Sequence, residues 1–260
     1  MIIFSIAARE LRSLFLSPLA WTILAVVQFI LAYIFLAQVD VFLQVQPRLA
    51  ALEGAPGMTE LVIVPLFGNA AILLLLVVPL VTMRLISEER KAQTISLLFS
   101  SPVSMTEIIL GKYLGIIGFL FIMLALITLM PLALLLGGAL DGGMLLSGLL
   151  GLALLLASFA AVGVFMSTLT AQPVVAAVST FGVLLLLWLL DWAGNNSAED
   201  GSSDIAGIAG SVFGYLSMLR HYETLLKGMF NSSDVIYYVL LIVLFLGLSV
   251  HRLNADRMRP

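Results

Sequence analysis

SEERKAQTISLLFSSPVSMTEIILGK, residues 87–112, is a densely polar stretch set between two long apolar runs. It holds Glu88, Glu89, Arg90, Lys91, Glu107 and Lys112, in a chain of 260 residues with only 12 basic and 15 acidic side chains. The whole sequence is 62% hydrophobic and 10% charged, with a mean hydropathy of +1.16. A soluble domain carries roughly 25% charged residues. Too few polar side chains are present to cover a water-facing surface, so the surrounding medium is lipid. Backbone groups in lipid must be satisfied within helices or a closed barrel. The Leu, Val and Ile runs do not alternate with polar residues, which selects helices over barrel strands. The sequence therefore predicts an all-α polytopic membrane protein, with the polar stretch as an island between two spans.

Working outward, six spans follow, judged against the roughly 20 apolar residues needed to cross a bilayer. They cover residues 19–38, 62–83, 108–136, 144–169, 174–192 and 235–250 of a single transmembrane domain. Pro79 and Pro131 lie inside the second and third, and 171–173 (Ala-Gln-Pro) reads as a tight turn. Span two is expected to continue as helix through 83–86 into the island. Arg9 and Arg12 precede the first span as in a signal peptide, but that apolar run is longer than a usual signal core, and a retained span is expected. Residues 3–15 place Phe4, Ala7, Ala8, Leu11 and Phe15 on one helical face and Ser5, Arg9, Arg12 and Ser13 on the other. This is the pattern of a helix lying in the membrane interface, its arginines toward anionic headgroups. The competing reading is a cytoplasmic extension of span one; Ser17-Pro18 favours a break between them.

Lysine and arginine set the orientation. With the N-terminus inside, the inner segments hold Arg9, Arg12, Arg84, Arg90, Lys91, Lys112, Arg252, Arg257 and Arg259, and the outer ones hold Arg48, Arg220 and Lys227. Both termini and the island then face the cytoplasm. The largest outer segment, 193–234, opens polar and turns apolar over 205–219. Gly207, Gly210 and Gly214 line one helical face there, where a neighbouring helix could approach closely. A helix on the outer leaflet is expected, before His221, Tyr222 and Glu223 return to water. The alternative is a seventh span, which would put one terminus outside.

Inside the island, Ile95, Leu98 and Phe99 form a short apolar face that Ser101-Pro102 terminates. Ser104 followed by Glu107 is a capping box, with Val103 and Ile108 at the staple positions. The island thus reads as an ordered elbow, helix–break–capped helix, the competing reading being a passive connector.

This string resembles the second cytoplasmic region of type-2 ABC transporter permeases. The matching elements are Glu88-Glu89, Gln93-Thr94, Leu97-Leu98, Ser101-Pro102 and Gly111-Lys112, with Gln93 standing where many relatives carry glycine. Residues 8–18 resemble that family's interfacial helix. His221-Tyr222-Glu223, Gly228, Asp234 and Tyr237-Tyr238 resemble its GldF-like branch. The resemblance implies paired permease chains (homo- or heterodimer), each seating its island in a cleft of a separate ABC ATPase subunit, in a bacterial inner membrane. ATP and Mg would be bound by that ATPase. Glu88 and Glu89 would meet its basic groups, Leu97, Leu98 and Phe99 would fill its cleft, and Pro102 would fix the bend. Arg90, Thr94, Ser101 and Ser104 complete the expected coupling interface, and Arg9, Arg12 and Phe15 the interfacial helix. The GldF-like branch further implies an auxiliary envelope protein with a large outer domain.

Enzyme chemistry is not legible in the chain. Gly111-Lys112 lacks the glycine spacing of a phosphate loop. His221 and His251 fall on opposite sides of the membrane, and no nucleophile or zinc motif occurs. Cysteine is absent. No catalytic, metal or cofactor residue is therefore expected. The sequence leaves three functions open: a transporting permease, a non-transporting platform that passes ATPase motion to an envelope complex, and a membrane-embedded enzyme.

Overall fold

The computed structural model describes residues 2–49, 57–94, 103–134, 141–199 and 214–257. Those residues are almost entirely helical, with six helical stretches long and apolar enough to cross a membrane. Helix α1 (Ile2–Leu16) is followed at a bend by α2 (Pro18–Leu49). Ser17 marks the corner, its hydroxyl accepting the Leu19 N–H at 3.3 Å. Pro18 then sits where a missing N–H costs nothing. α2 runs 32 residues, eleven beyond the expected end of span one. Along the exposed face of its last turns, Gln44 donates to Asp40 at 2.8 Å, a pairing that adds a few tenths of a kcal/mol to a helix. Loss of hydropathy marks where lipid ends; it does not end a helix.

A π-helical turn, Thr59–Ile63, leads into α3 (Val64–Thr82). Residues 83–86 are a turn, and α4 (Ser87–Lys91) follows. The continuous helix expected through 83–86 is thus broken, for a reason given below. α5 (Met105–Leu134) opens on the expected capping box. Ser104 Oγ accepts the Glu107 N–H at 3.2 Å, and Glu107 Oε2 accepts from the Ser104 N–H at 3.0 Å and its hydroxyl at 2.9 Å. α6 (Gly142–Leu169) is capped by Asp141, whose carboxylate accepts the N–H groups of Gly143 and Met144. Asp141 thus starts a span. After the turn at 170–172 comes α7 (Pro173–Glu199). Two more helices, α8 (Met218–Leu226) and α9 (Ser232–Arg257), complete the described chain.

α6 is the hub. It packs against α3, α5, α7, α8 and α9, and 61% of its most apolar stretch is buried, against 22% for α7 and 28% for α2. Small residues permit this, as lipid supplies no hydrophobic force between helices and close packing must replace it. Gly148 faces the Phe67 ring, Gly151 faces Tyr222 and Leu225, and Gly163 faces Thr82. α1 docks on α5 in the same way, Gly111 admitting Ile6 and Gly115 admitting Glu10. This rotates α1 from the expected face. Phe4 is 75% exposed, whereas Ile6, Glu10, Leu11 and Leu14 turn partly inward.

Candidate functional site

The elbow is built where α3 stops. Thr82 bonds back to the carbonyl of Val78 at 3.0 Å, and a Cβ on Gly163 would lie 2.2 Å from its Oγ1. α3 and α6 therefore touch backbone to side chain at this level. One turn further along α6, Ser167 Oγ accepts the N–H groups of Ile86 at 3.0 Å and Ser87 at 3.1 Å, and donates to the Met83 carbonyl at 3.2 Å. The Ser167 hydroxyl thus satisfies the two N–H groups that the turn at 83–86 leaves without helical partners, and the Ser87 hydroxyl also donates to the Met83 carbonyl. Buried groups of this kind cost about 1–3 kcal/mol each when unmade. The break is stable because its partner comes from 80 residues away.

α4 is then fixed on its inner side by two sets of charges. Lys112, only 3% exposed, lies 2.8 Å from Glu89 Oε1 and 3.5 Å from Glu10 Oε2. One cation thereby joins α4, α5 and α1. Arg90 forms an ion pair with Asp256 of α9, and Arg252 reaches the other oxygen of Asp256 at 3.8 Å. A buried lysine needs such partners, because an unpaired charge out of water is very costly. Glu89 Oε2 and Arg90 Nε remain buried without a hydrogen-bond partner among the described residues. The outer side of α4 faces the other way: Glu88, Lys91 and Thr94 are exposed. Gln93 ends the short helix in the left-handed conformation, at φ 55°. That is the backbone state glycine adopts without strain, which explains the glycine of the resembling pattern. A crevice of about 90 Å³ beside α4 is lined by Glu10, Ser13, Ser17, Arg84 and Glu88.

Of the coupling residues predicted from sequence, Glu88, Glu89, Arg90 and Thr94 lie on α4 and the turn after it, and Ser104 caps α5. Leu97, Leu98, Phe99, Ser101 and Pro102 lie outside the described residues. Within the chain, one oxygen of the Glu89 carboxylate is engaged with Lys112. Arg9 and Arg12 are exposed along α1, and Phe15 packs against Trp21 and Phe119 at ring distances of 5.6 and 5.7 Å. Sequence reasoning missed Glu10, Ser167 and Asp256. Glu10 had a signal: it sits at helical spacing from Ile3, Ile6, Leu11 and Leu14, and a carboxylate on an apolar face calls for a cation.

At the opposite end of the bundle, Gly207 and Gly210 lie outside the described residues with the rest of 205–213; residues 214–216 are helical, and α8 follows them. α8 starts on Ser217, whose hydroxyl accepts the Arg220 N–H at 3.4 Å, and closes before Gly228 at φ 79°. A Cβ on Gly214 would meet the Arg220 guanidinium at 2.5 Å. His221 and Tyr222 do not return to water: they are 6% and 1% exposed, and only Glu223 is open. Tyr222 donates to the Phe67 carbonyl at 2.9 Å, and burial pushes its phenol well above its ordinary range. Ser147 of α6 donates to the Leu225 carbonyl at 2.7 Å. The expectation failed because polar residues were equated with solvent, whereas these turn their polar atoms onto backbone carbonyls. Among the described residues no group of three His, Asp or Glu side chains could hold a metal ion.

A family model described as "ABC-2 family transporter protein" matches residues 4–258, nearly the whole chain. The chain belongs to the ABC-2 transporter family. It is thus the membrane-embedded permease part of an ABC transporter, a family whose members work with an ABC ATPase. No curated protein matches the chain significantly. Within the ABC-2 framework the elbow occupies the loop between the second and third spans, at the basic end of the bundle.

Proposed function

We propose that this ABC-2 permease couples ATP hydrolysis on a separate ATPase to export or mechanical work, and that α4 with residues 92–104 is the part the ATPase grips. The supporting observation is the two-sided character of α4. Its inner side is tied by ion pairs to α1, α5 and α9, while Glu88, Lys91 and Thr94 point away from the bundle. Force applied to such a helix reaches three others at once, whereas a soft connector would dissipate it. On this reading both termini are cytoplasmic, two permease chains pair in a bacterial inner membrane, and ATP and Mg belong to the partner. The GldF-like resemblance favours an auxiliary envelope protein as a further subunit.

The test is copurification in mild detergent, followed by ATPase stimulation. Glu88→Lys and Leu98→Asp are each expected to lower stimulation about tenfold, the equivalent of one lost charged or apolar contact. Full stimulation in both variants would sink the assignment. The second reading, a platform that moves an envelope partner without transporting, is motivated by the long outer segment 193–234. Reconstituted vesicles separate the two: ATP-dependent movement of cargo supports transport, and an intact partner complex without movement supports the platform.

A further inference from the structure

The sharpest unassigned feature lies at the α8 end of the bundle. His221 and Asp234 are both buried, 6% and 4% exposed. Nδ1 of His221 lies 2.6 Å from Asp234 Oδ1, and Nε2 lies 2.9 Å from the carbonyl oxygen of Tyr215. A carbonyl oxygen only accepts, and an ionised carboxylate only accepts. A neutral imidazole offers one N–H, so one of these two contacts would set lone pair against lone pair. The neutral arrangement would also leave a net negative charge buried, which is costly.

One additional proton removes both problems. Two observations locate it on the ring. Asp234 lies in the first turn of α9, where the helix dipole favours a carboxylate. The imidazole stacks on Tyr237 at 4.2 Å and 24°, a face that favours a cation. We infer that His221 and Asp234 form a proton-binding site, in which the imidazolium clasps the Tyr215 carbonyl and holds the chain entering α8 against the head of α9. The same clasp is reinforced by Tyr237, which donates to the Leu216 carbonyl at 2.6 Å, and Tyr238, which donates to that of Met218 at 2.7 Å.

The neighbouring groups are consistent with this. From the entering segment Tyr215 presents its ring edge at 5.5 Å. α8 itself brings Tyr222, Glu223 and Arg220, of which Glu223 and Arg220 are exposed. α9 brings Asp234, Tyr237 and Tyr238, and α7, packed beside α8, brings Asp191. α3 and α6 contain no charged or titratable side chain. With its outward partner a carbonyl, His221 is not placed to act as a general base. The sign follows: the clasp is complete with the proton bound and weakens as rising pH removes it. That this end faces outside rests on the topology proposed above; the proton site itself does not.

Histidine occurs only at positions 221 and 251, and His251 is exposed further along α9. Nitrogen-15 labelling of histidine in the full chain in nanodiscs therefore gives two side chains, one an internal control. At about pH 7.5, His221 is expected to carry two ring N–H groups, and His251 gives the reference signal of an imidazole outside the site. A neutral single-tautomer His221 at that pH overturns the proposal. Asp234→Asn should abolish the doubly protonated signal and leave His251 unchanged; its persistence also overturns it. Hydrogen exchange of residues 214–219, corrected for the intrinsic pH dependence, should lose about tenfold in protection as the His221 signal becomes neutral, the effect of one hydrogen bond. Unchanged protection would show that the proton does not hold the segment. None of these readouts involves an ATPase, so they stand or fall apart from the coupling assignment.

Discussion

The two ends of α6 are fastened in different ways. At the basic end, α4 is held by long charged side chains: Lys112 between Glu89 and Glu10, and Asp256 between Arg90 and Arg252. At the other end, α8 is held by ring-bearing side chains that donate to backbone carbonyls, Tyr222 to Phe67, Tyr238 to Met218 and Tyr237 to Leu216. Long side chains tolerate displacement, because an ammonium group can exchange one carboxylate for another as helices shift. Rigid rings packed in a core lose their bond outright on moving an ångström. The contrast teaches that one end is joined by charges, whose pull persists through small shifts, and the other by short bonds from packed rings, which do not.

The largest way to break this contrast is Lys112→Met. It leaves two half-buried carboxylates without their shared cation and is expected to cost about 2–3 kcal/mol, below the cost of a fully buried pair because both carboxylates keep some solvent, read as a lowered unfolding temperature in detergent. Adding Glu10→Gln and Glu89→Gln should restore most of the loss; no rescue would mean that the lysine acts by packing rather than charge. Next comes Gly163→Val. Its side chain meets Thr82 at backbone-rooted atoms, so a loss of about 1–3 kcal/mol is expected, together with faster proteolysis around residues 83–94. Tyr238→Phe probes the opposite end and should cost about 1 kcal/mol, with exchange increasing at residues 216–219 and not at the elbow. The smallest stability effect belongs to Glu88→Lys. This exposed position should shift stability by less than about 0.5 kcal/mol while still lowering ATPase stimulation, and calorimetry beside the activity assay separates the two.

What was legible in the sequence was what neighbouring residues decide. Six apolar stretches gave six helices, and Ser104 with Glu107 gave a cap, because each depends on residues within a few positions. The C-terminal extent of α2 was not legible, because hydropathy reports the medium and not where a helix stops. The break at 83–86 was invisible because the hydroxyl that makes it affordable, Ser167, sits 80 residues on. His221 and Tyr222 were misread for a related reason: their polarity is spent on the carbonyls of Tyr215 and Phe67, which no local pattern announces. The candidate elbow was therefore found as a place, through its charges and its cap. Its wiring, through Glu10, Lys112 and Asp256, had to be seen in space.

Gln93 carries one more consequence. Its left-handed backbone costs an ordinary residue about 1–2 kcal/mol, yet a residue with a Cβ has few other conformations within reach once the corner is formed. Glycine at the same corner swings between both signs of φ with little resistance. With glutamine at φ 55°, the corner behaves less like a pin joint and more like a bent spring.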